Sequence, residues 1–209
     1  DDPWSAHVAA LAPQAVRAAV SPRPASDWTG HVVDWHRREL AAQGLALDLD
    51  PLPARRAADG GPVVLHPGSG AQVKCWPPAR FAALADALLA EGHAVQVVLG
   101  EAERERWREG ELRRWRAAYD VRQPLSLSAL ADVIEGAALF VGNDSGPTHL
   151  AAARGVPTVA LFGPTSPARW RPQGAAVTVV APPAPAAMAW LDVDAVLAAV
   201  RRARIAAPA

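Results

Sequence analysis

The stretch VVLHPGSGAQVKCWPP occupies residues 63–78 and changes its local pattern twice. It opens with a short apolar run, which is typical of a buried strand. A loop rich in glycine follows, and Pro77-Pro78 favours the first turn of a helix. Apolar residues then recur at helical spacing over 81–89, up to an expected stop at Gly92. The stretch therefore predicts a strand, a turn-rich loop and a helix in succession.

The same alternation continues along the chain. Short apolar segments predict further strands at 93–99, 119–121, 138–141, 157–162 and 177–180, and a loop at 163–173. Helical spacing predicts helices at 101–116 (one helix or a pair), 126–136, 147–153 and 192–205. This alternation predicts an α/β fold, a Rossmann-like parallel sheet with helices on both faces. The loops that follow the strands then share one edge of the sheet, where ligands bind at a topological switch point.

Two finer expectations concern individual side chains. In the helix predicted at 126–136, the residues expected to face the core are Leu127, Leu130, Val133 and Ile134. Trp76 and Trp170 fall on loops at the expected ligand edge, so among the tryptophans these two are the candidates for a ligand contact.

The first sixty residues carry a weaker pattern. Helical spacing predicts helices at 4–20 and 31–44, and proline and glycine crowd the end of the segment 45–62. We therefore expect a linker there, with residues 56–209 forming the α/β domain. The chain begins without methionine, so we also expect it to be part of a longer protein.

Composition excludes several classes of function. The 21 basic residues balance the 21 acidic ones, which argues against a basic nucleic-acid binder or a polybasic membrane tether. Cys75 stands alone, so no internal disulfide forms and a reducing compartment is expected. Prolines interrupt the longest uncharged stretch, 175–191, so no membrane-spanning helix is expected.

The first candidate site is the loop Gly68-Ser69-Gly70, followed by Lys74. Glycines let the backbone approach an anion, and Lys74, the chain's sole lysine, offers a point charge to phosphate. The Walker pattern fails because Cys75 follows the lysine, and the dinucleotide fingerprint fails at Val73. A tight turn with an exposed lysine remains an equal interpretation.

The second candidate site is GNDSGPTH, residues 142–149. Backbone N–H groups at Ser145 and Gly146 could face phosphate while Asp144 accepts hydrogen bonds from a polyol. Alternatively, Asp144 or Ser145 merely caps the following helix, and His149 is a partly buried histidine. The spacing does not fit a serine-hydrolase elbow, and Cys75, His66 and His149 lack the spacing of a zinc site.

Three motifs in this order resemble one known family. HPGSG with the later KCWP covers 66–77, GNDSG with HLAA covers 142–152, and FGPT covers 162–165. Together they resemble the bacterial heptosyltransferases of lipopolysaccharide core synthesis, which form glycosyltransferase family 9 and have the two-domain GT-B fold. The resemblance covers about residues 60–205 and implies the C-terminal half of that fold.

The resemblance implies a site for a nucleotide-sugar donor, typically ADP-heptose. Lys74 and Ser69 would contact phosphate, Asp144, Ser145 and Gly146 would hold sugar hydroxyls and phosphate, and His149 would lie beside them. Glu101 or Glu103 would bind the ribose, and backbone groups at Leu125 would meet the adenine. The donor-binding residues implied are therefore Ser69, Gly70, Lys74, Glu101, Glu103, Leu125, Asp144, Ser145, Gly146 and His149.

The resemblance also implies how this chain relates to a whole enzyme. Residues 1–55 would be the remnant of the N-terminal acceptor domain plus a linker, and 56–209 the donor-binding domain. The catalytic base, an aspartate, is then expected outside this chain. Transfer of the sugar to lipopolysaccharide core would invert the configuration at its anomeric carbon and need neither metal nor cofactor. It would take place in the cytoplasm, with at most peripheral contact at the inner membrane.

One departure and three alternatives stay open. The family's Gly-Pro-Thr-Asp-Pro has Ser166 in place of aspartate here, which puts any contact from that aspartate in doubt. The alternatives are a nucleotide-sugar epimerase, a transferase that uses another donor, and a non-catalytic nucleotide-binding module. The chain could be a truncated form, a proteolytic fragment or the product of a degenerate gene.

Overall fold

The computed structural model describes residues 18–45, 53–54 and 60–206, and the chain divides into two compact units, Asp1–Leu49 and Asp50–Ala209. The division lies a few residues before the boundary expected at 55 and 56. In the first unit, helix α1 spans Val32–Ala42, and the His31 ring accepts a hydrogen bond from the Val33 N–H at its start. Most of the helix predicted at 4–20 and of the predicted linker lies outside the described residues.

The second unit contains a six-stranded sheet whose neighbouring strands all run parallel, in the order β3-β2-β1-β4-β5-β6. The strands are β1 (Val63–His66), β2 (Val95–Val98), β3 (Asp120–Arg122), β4 (Leu139–Asn143), β5 (Thr158–Leu161) and β6 (Val177–Val180). This order is that of the doubly wound dinucleotide-binding sheet. The six strands fall where the sequence predicts them, and the α/β expectation is confirmed.

Helices connect the strands. They are α2 (Pro78–Ala90), α3 (Glu101–Arg106), α4 (Glu109–Ala118), α5 (Leu127–Glu135), α6 (Gly146–Ala153), α7 (Pro167–Trp170) and α8 (Val193–Ala206), with 3-10 turns at Gln72–Lys74 and Met188–Trp190. The segment predicted as one helix or a pair at 101–116 is a pair. The predicted loop at 163–173 contains the single turn of α7.

Apolar side chains cover both faces of the sheet. On one face, Leu65 and Val141 pack with Phe81 of α2 and Val200 of α8. On the other face, Val64 and Phe140 pack with Ile134 of α5 and Ala151 of α6. Because β1 and β4 are buried on both sides, their side chains form near-continuous apolar runs, as central parallel strands require.

Two of the finer expectations are wrong. Leu127 is 71% exposed, because it occupies the first position of α5, ahead of the turn that packs on the sheet. Trp76 lies in the core and not beside a ligand, since its ring packs edge-on against Phe81 and its Nε1 donates to the Leu191 carbonyl.

The two candidate loops meet where neighbouring strands send their helices to opposite faces. Strands β1 and β4 pair directly, with His66 opposite Gly142. The chain then continues to α2 on one face and to α6 on the other. A crevice opens beyond strand ends at such a switch point, which makes it the expected ligand edge. Across the described ranges, no helix has the length and apolar character needed to cross a membrane.

Candidate functional site

Asn143, the last residue of β4, ties the two loops together. Its side chain is fully buried; its Oδ1 accepts from the Trp76 N–H at 2.9 Å and its Nδ2 donates to the Pro67 carbonyl at 2.8 Å. A second donation reaches the Gly68 carbonyl at 3.2 Å. These bonds satisfy backbone groups that burial would otherwise leave unpaired, so the loops are held in one arrangement.

Lys74 and Asp144 bring opposite charges together at the crevice. The Lys74 Nζ lies 3.2 Å from Asp144 Oδ2, which also accepts from the Thr165 hydroxyl at 2.8 Å. The His149 Nε2 lies 3.5 Å from the other carboxylate oxygen. Burial raises the pKa of Asp144, but the bonds from His149 and Thr165 and the charge of Lys74 outweigh it, so the pKa stays below its usual value. The carboxylate is therefore ionised at neutral pH.

The β1–α2 loop is held from two sides. The Ser69 hydroxyl donates to the Asp144 carbonyl at 3.1 Å. From α3, the Arg106 guanidinium donates to the carbonyls of Ser69 at 2.7 Å and Gly70 at 2.6 Å. The carbonyls of Ser69 and Gly70 are thus held by Arg106, whereas those of Pro67 and Gly68 are held by Asn143.

A chain of polar side chains runs beneath the crevice. The Thr148 hydroxyl donates to the Asn143 carbonyl at 2.6 Å and lies 3.2 Å from Ser145 Oγ, which in turn is 3.4 Å from His66 Nδ1. Burial lowers the pKa of His66 to about 4, so its ring is neutral at physiological pH. The neutral ring adds hydrogen-bonding capacity to the site without adding a charge.

Glu103 is also buried at this edge. Its Oε2 accepts from the Gly100 N–H at 2.7 Å, at the start of α3, and lies 3.9 Å from His66 Nε2. A Cβ on Gly68 would overlap the Glu103 carboxylate, so a side chain at this position would force Glu103 to move. Glu103 therefore supports the loop from below.

Two neighbouring cavities lie at this edge of the sheet. The smaller, of about 180 Å³, is lined by Ser69, Gly70, Gly100, Glu101, Glu103, Ser145 and Gly146, among others. The larger, of about 280 Å³, is lined mainly by apolar groups, including Val98, Pro124, Leu125, Leu127, Leu130 and Pro147, together with Glu101 and Arg104. Both cavities share His66, Gly100, Glu101 and Pro147. Serine and glutamate residues thus gather around the smaller cavity, and aliphatic side chains and prolines around the larger one.

The arrangement suits a ligand with an anionic part and a flat apolar part. Backbone N–H groups at the start of α6 and the Lys74 ammonium offer favourable interactions to an anion. The carboxylate of Asp144 accepts hydrogen bonds from hydroxyl groups. Among the described residues, no group of three histidine, cysteine, aspartate or glutamate side chains converges on one point. Burial raises the pKa of the Cys75 thiol, which keeps it protonated and a poor nucleophile.

The structure brings nearly all the predicted site residues to one edge. Six of them line the smaller cavity: Ser69, Gly70, Glu101, Glu103, Ser145 and Gly146. Lys74 and His149 both contact Asp144, and these three residues line neither cavity. Leu125 lies apart, on the rim of the larger cavity, with 84% of it exposed. Neither Asp144 nor Ser145 caps α6 with its side chain, so the simple capping interpretation is wrong.

Sequence reasoning missed four residues that build this edge. They are Asn143, Thr165, Arg104 and Arg106. A signal existed for Asn143, since an amide at the end of a buried strand needs partners. None existed for Arg106, because its contacts cross 36 and 37 residues of chain.

Comparison with known proteins adds independent findings. The family model described as "Glycosyltransferase family 9 (heptosyltransferase)" matches residues 23–190. The chain is 38% identical over 151 residues to lipopolysaccharide heptosyltransferase 1 of Pseudomonas aeruginosa, a match that covers 67% of this chain and 42% of the relative. It is 34% identical over 113 residues to lipopolysaccharide heptosyltransferase 3 of Escherichia coli, covering 53% of this chain and 33% of the relative. The matches thus span less than half the length of these relatives.

Solved structures share the fold. The E. coli heptosyltransferase WaaC with ADP superposes with a TM-score of 0.67 at 23% identity, over 87% of this chain and 59% of that one. A glycosyl transferase family 9 protein of Veillonella parvula gives a TM-score of 0.69 at 20% identity, over 88% of this chain and 62% of that one. At these identities, the likeness establishes the architecture.

Proposed function

Because the chain belongs to glycosyltransferase family 9, the heptosyltransferase family, we propose that its α/β unit binds the nucleotide part of a sugar donor and that this donor is ADP-heptose. The observation that carries the proposal is the Lys74–Asp144 pair at the switch point, on the same loops as Ser69 and Ser145, which line the smaller of two neighbouring cavities. A cation, an acceptor for hydroxyls and an apolar slot match a diphosphate, a sugar and a nucleobase.

When the donor binds, Lys74 can exchange its partner, the Asp144 carboxylate, for the diphosphate. A diphosphate is a stronger partner for Lys74 than the single carboxylate, because it offers more charge and more acceptor oxygens. Once Lys74 turns to phosphate, Asp144 keeps the Thr165 hydroxyl at 2.8 Å and His149 at 3.5 Å. It therefore stays ionised and free to accept bonds from sugar hydroxyls.

The two cavities order the rest of the donor. Ser145 and Gly146 line only the smaller cavity, which suits their N–H groups to phosphate. Glu101 lines both cavities, so the ribose is proposed at their junction, with its hydroxyls donating to that carboxylate. The base then lies in the larger cavity, beside the backbone of Leu125. Ser69 contributes through loop position, since its hydroxyl is already donated to Asp144.

The proposed reaction is transfer of heptose to lipopolysaccharide core with inversion at the anomeric carbon. An acceptor oxygen forms the new bond to that carbon while the bond to the β-phosphate oxygen breaks, and ADP leaves. The acceptor's proton passes to a base, for which we propose an aspartate outside the described residues. Lys74 stabilises the charge that grows on the leaving diphosphate, so no metal is required for that step. We propose that this takes place in the cytoplasm, at the inner face of the inner membrane.

The test is calorimetric titration of the chain with ADP, ADP-heptose, UDP and GDP in EDTA. Adenine-selective binding is expected. Replacing Lys74 by alanine removes a charge-assisted bond worth about 1.5–3 kcal/mol, so affinity for ADP should fall about 10- to 100-fold. The variant should stay folded, because Asp144 keeps its contacts with Thr165 and His149.

Val73→Ala is the matched control, since Val73 is adjacent and exposed and its side chain offers neither a charge nor a hydrogen bond to phosphate. It should bind ADP like the unaltered chain. Preference for UDP or GDP would replace ADP-heptose by another donor. Failure to bind any of the four would overturn the proposal.

A further inference from the structure

The arginines of helices α3 and α4 have different partners. Arg106 donates to the loop carbonyls of Ser69 and Gly70, and Arg113 and Arg116 lie near the Glu109 carboxylate, at 3.9 Å and 3.7 Å. Within the ranges that the structure describes, the Arg104 guanidinium has no hydrogen bond and no ion pair. Its charge is therefore available to a ligand.

Arg104 faces the larger cavity. It follows Glu101 by three residues in α3, which places both on one face of the helix, and both line that cavity. Glu101 also lines the smaller cavity, whereas Arg104 does not. Arg104 therefore lies beyond Glu101 on the side away from the candidate phosphate groups, at the apolar end of the crevice.

The surroundings of Arg104 define the chemistry it can meet. The other walls of the larger cavity carry Val98, Leu130 and Pro124, which offer apolar surface and no charge. A guanidinium is planar, donates hydrogen bonds only, and stacks on aromatic rings. An apolar slot closed by such a group suits a flat heterocycle with acceptor nitrogens, and suits a second phosphate poorly.

We propose that Arg104 is a binding residue for the nucleobase of the donor, and that its guanidinium plane covers the base against the apolar wall. This inference rests on the proposed function, since it assumes that a nucleotide occupies the two cavities. It assigns Arg104 to recognition of the base and leaves the diphosphate to Lys74.

Titration calorimetry with ADP and with pyrophosphate, which lacks the base, separates these roles. For Arg104→Leu, we expect ADP to bind about 3- to 30-fold more weakly, the range that a cation–π contact supports. Pyrophosphate should bind as it does to the unaltered chain. For Lys74→Ala, both ligands should bind more weakly.

Two further variants sharpen the test. Arg104→Lys keeps the charge and loses the plane, so it should restore only part of the ADP affinity. Arg108→Leu is the matched control, because Arg108 is exposed and lines neither cavity, and it should bind ADP normally. Arg104 and Arg108 are exposed, so variants at these two positions should remain folded.

Several outcomes would overturn the inference. Unchanged ADP affinity in Arg104→Leu would remove Arg104 from the site while leaving the proposed function intact. Equal weakening for ADP and pyrophosphate, or full restoration by lysine, would show that Arg104 serves phosphate through its charge. If the unaltered chain bound pyrophosphate but not ADP, or bound neither, the proposed function would fail together with this inference.

Discussion

Asp144 shows how a single residue can be buried and charged. Its carboxylate meets three donors from three parts of the chain: Lys74 after β1, His149 in α6 and Thr165 after β5. Burying a carboxylate costs several kcal/mol unless hydrogen bonds and an opposite charge offset the loss of water. The three donors supply that compensation, and because each comes from a different segment, the carboxylate also fixes how the segments meet.

His66 makes stability depend on pH. Its folded-state pKa lies at about 4, below its usual 6.5, because burial disfavours the charged ring. Between pH 4 and 6.5, His66 is protonated in the unfolded chain and neutral in the folded chain. The free energy of unfolding should therefore fall as the pH drops from 6.5 to 4. The free energy of unfolding should be about 3 kcal/mol lower below pH 4 than above pH 6.5. Denaturant unfolding at a series of pH values measures it.

His66→Phe is the control for this pH dependence. Phenylalanine keeps a ring against Phe140, on which the imidazole is stacked, and does not titrate. Its unfolding free energy should be nearly flat across the same window, even if its absolute stability differs. Asp144 should not contribute to this pH dependence, because its pKa is lowered from 3.8 and its effect on stability therefore falls below the pH window of His66. An equally steep dependence in both proteins would assign the effect to other groups.

At the scale of elements, the β1–α2 loop depends on close contact with α3. A Cβ at Gly68 would overlap the buried Glu103 carboxylate, which holds the Gly100 N–H at the start of α3. Gly68→Ala should therefore lower the free energy of unfolding by about 1–3 kcal/mol, as overpacking does, and weaken ADP binding by displacing the loop. Chemical denaturation and calorimetry measure the two effects.

Gly70→Ala is the matched comparison in the same loop. Nothing lies within 4 Å of a Cβ placed there, and its φ is not positive, so the same substitution should change stability by no more than about 0.5 kcal/mol. If both variants lost the same free energy of unfolding, the loss would come from replacing any glycine of the loop and not from the contact with Glu103.

The elements themselves were largely predictable, whereas the contacts between them were not. Apolar runs located the six strands, and strand-following loops at one edge follow from any parallel sheet. The roles of Glu103 and Arg106 were not predictable, because charged residues in a polar helix look solvated unless the fold brings them to a loop. Leu127 was misplaced because helical spacing cannot tell a helix's first residue from its buried face.

For the whole molecule, the sheet order explains why one edge holds nearly all the candidate residues. Strands β1 and β4 are neighbours although more than seventy residues separate their ends, and their helices leave to opposite faces. The crevice between them is therefore bordered by loops from both halves of the sheet. Asn143 links those halves directly, so ligand binding and the stability of the sheet centre should be coupled.

That coupling predicts a thermal shift. A ligand that binds only the folded chain, at about 100 times its dissociation constant, adds about 2.7 kcal/mol of stability. For a chain of this size, ADP should then raise the melting temperature by about 5–10 °C. The affinity of Lys74→Ala for ADP is expected to be about 10- to 100-fold lower. At the same ADP concentration, this variant should therefore gain only about 0.4–1.4 kcal/mol of stability. Scanning fluorimetry of the intrinsic tryptophans measures both, and an equal shift in the two proteins would contradict a role for Lys74 in holding the diphosphate.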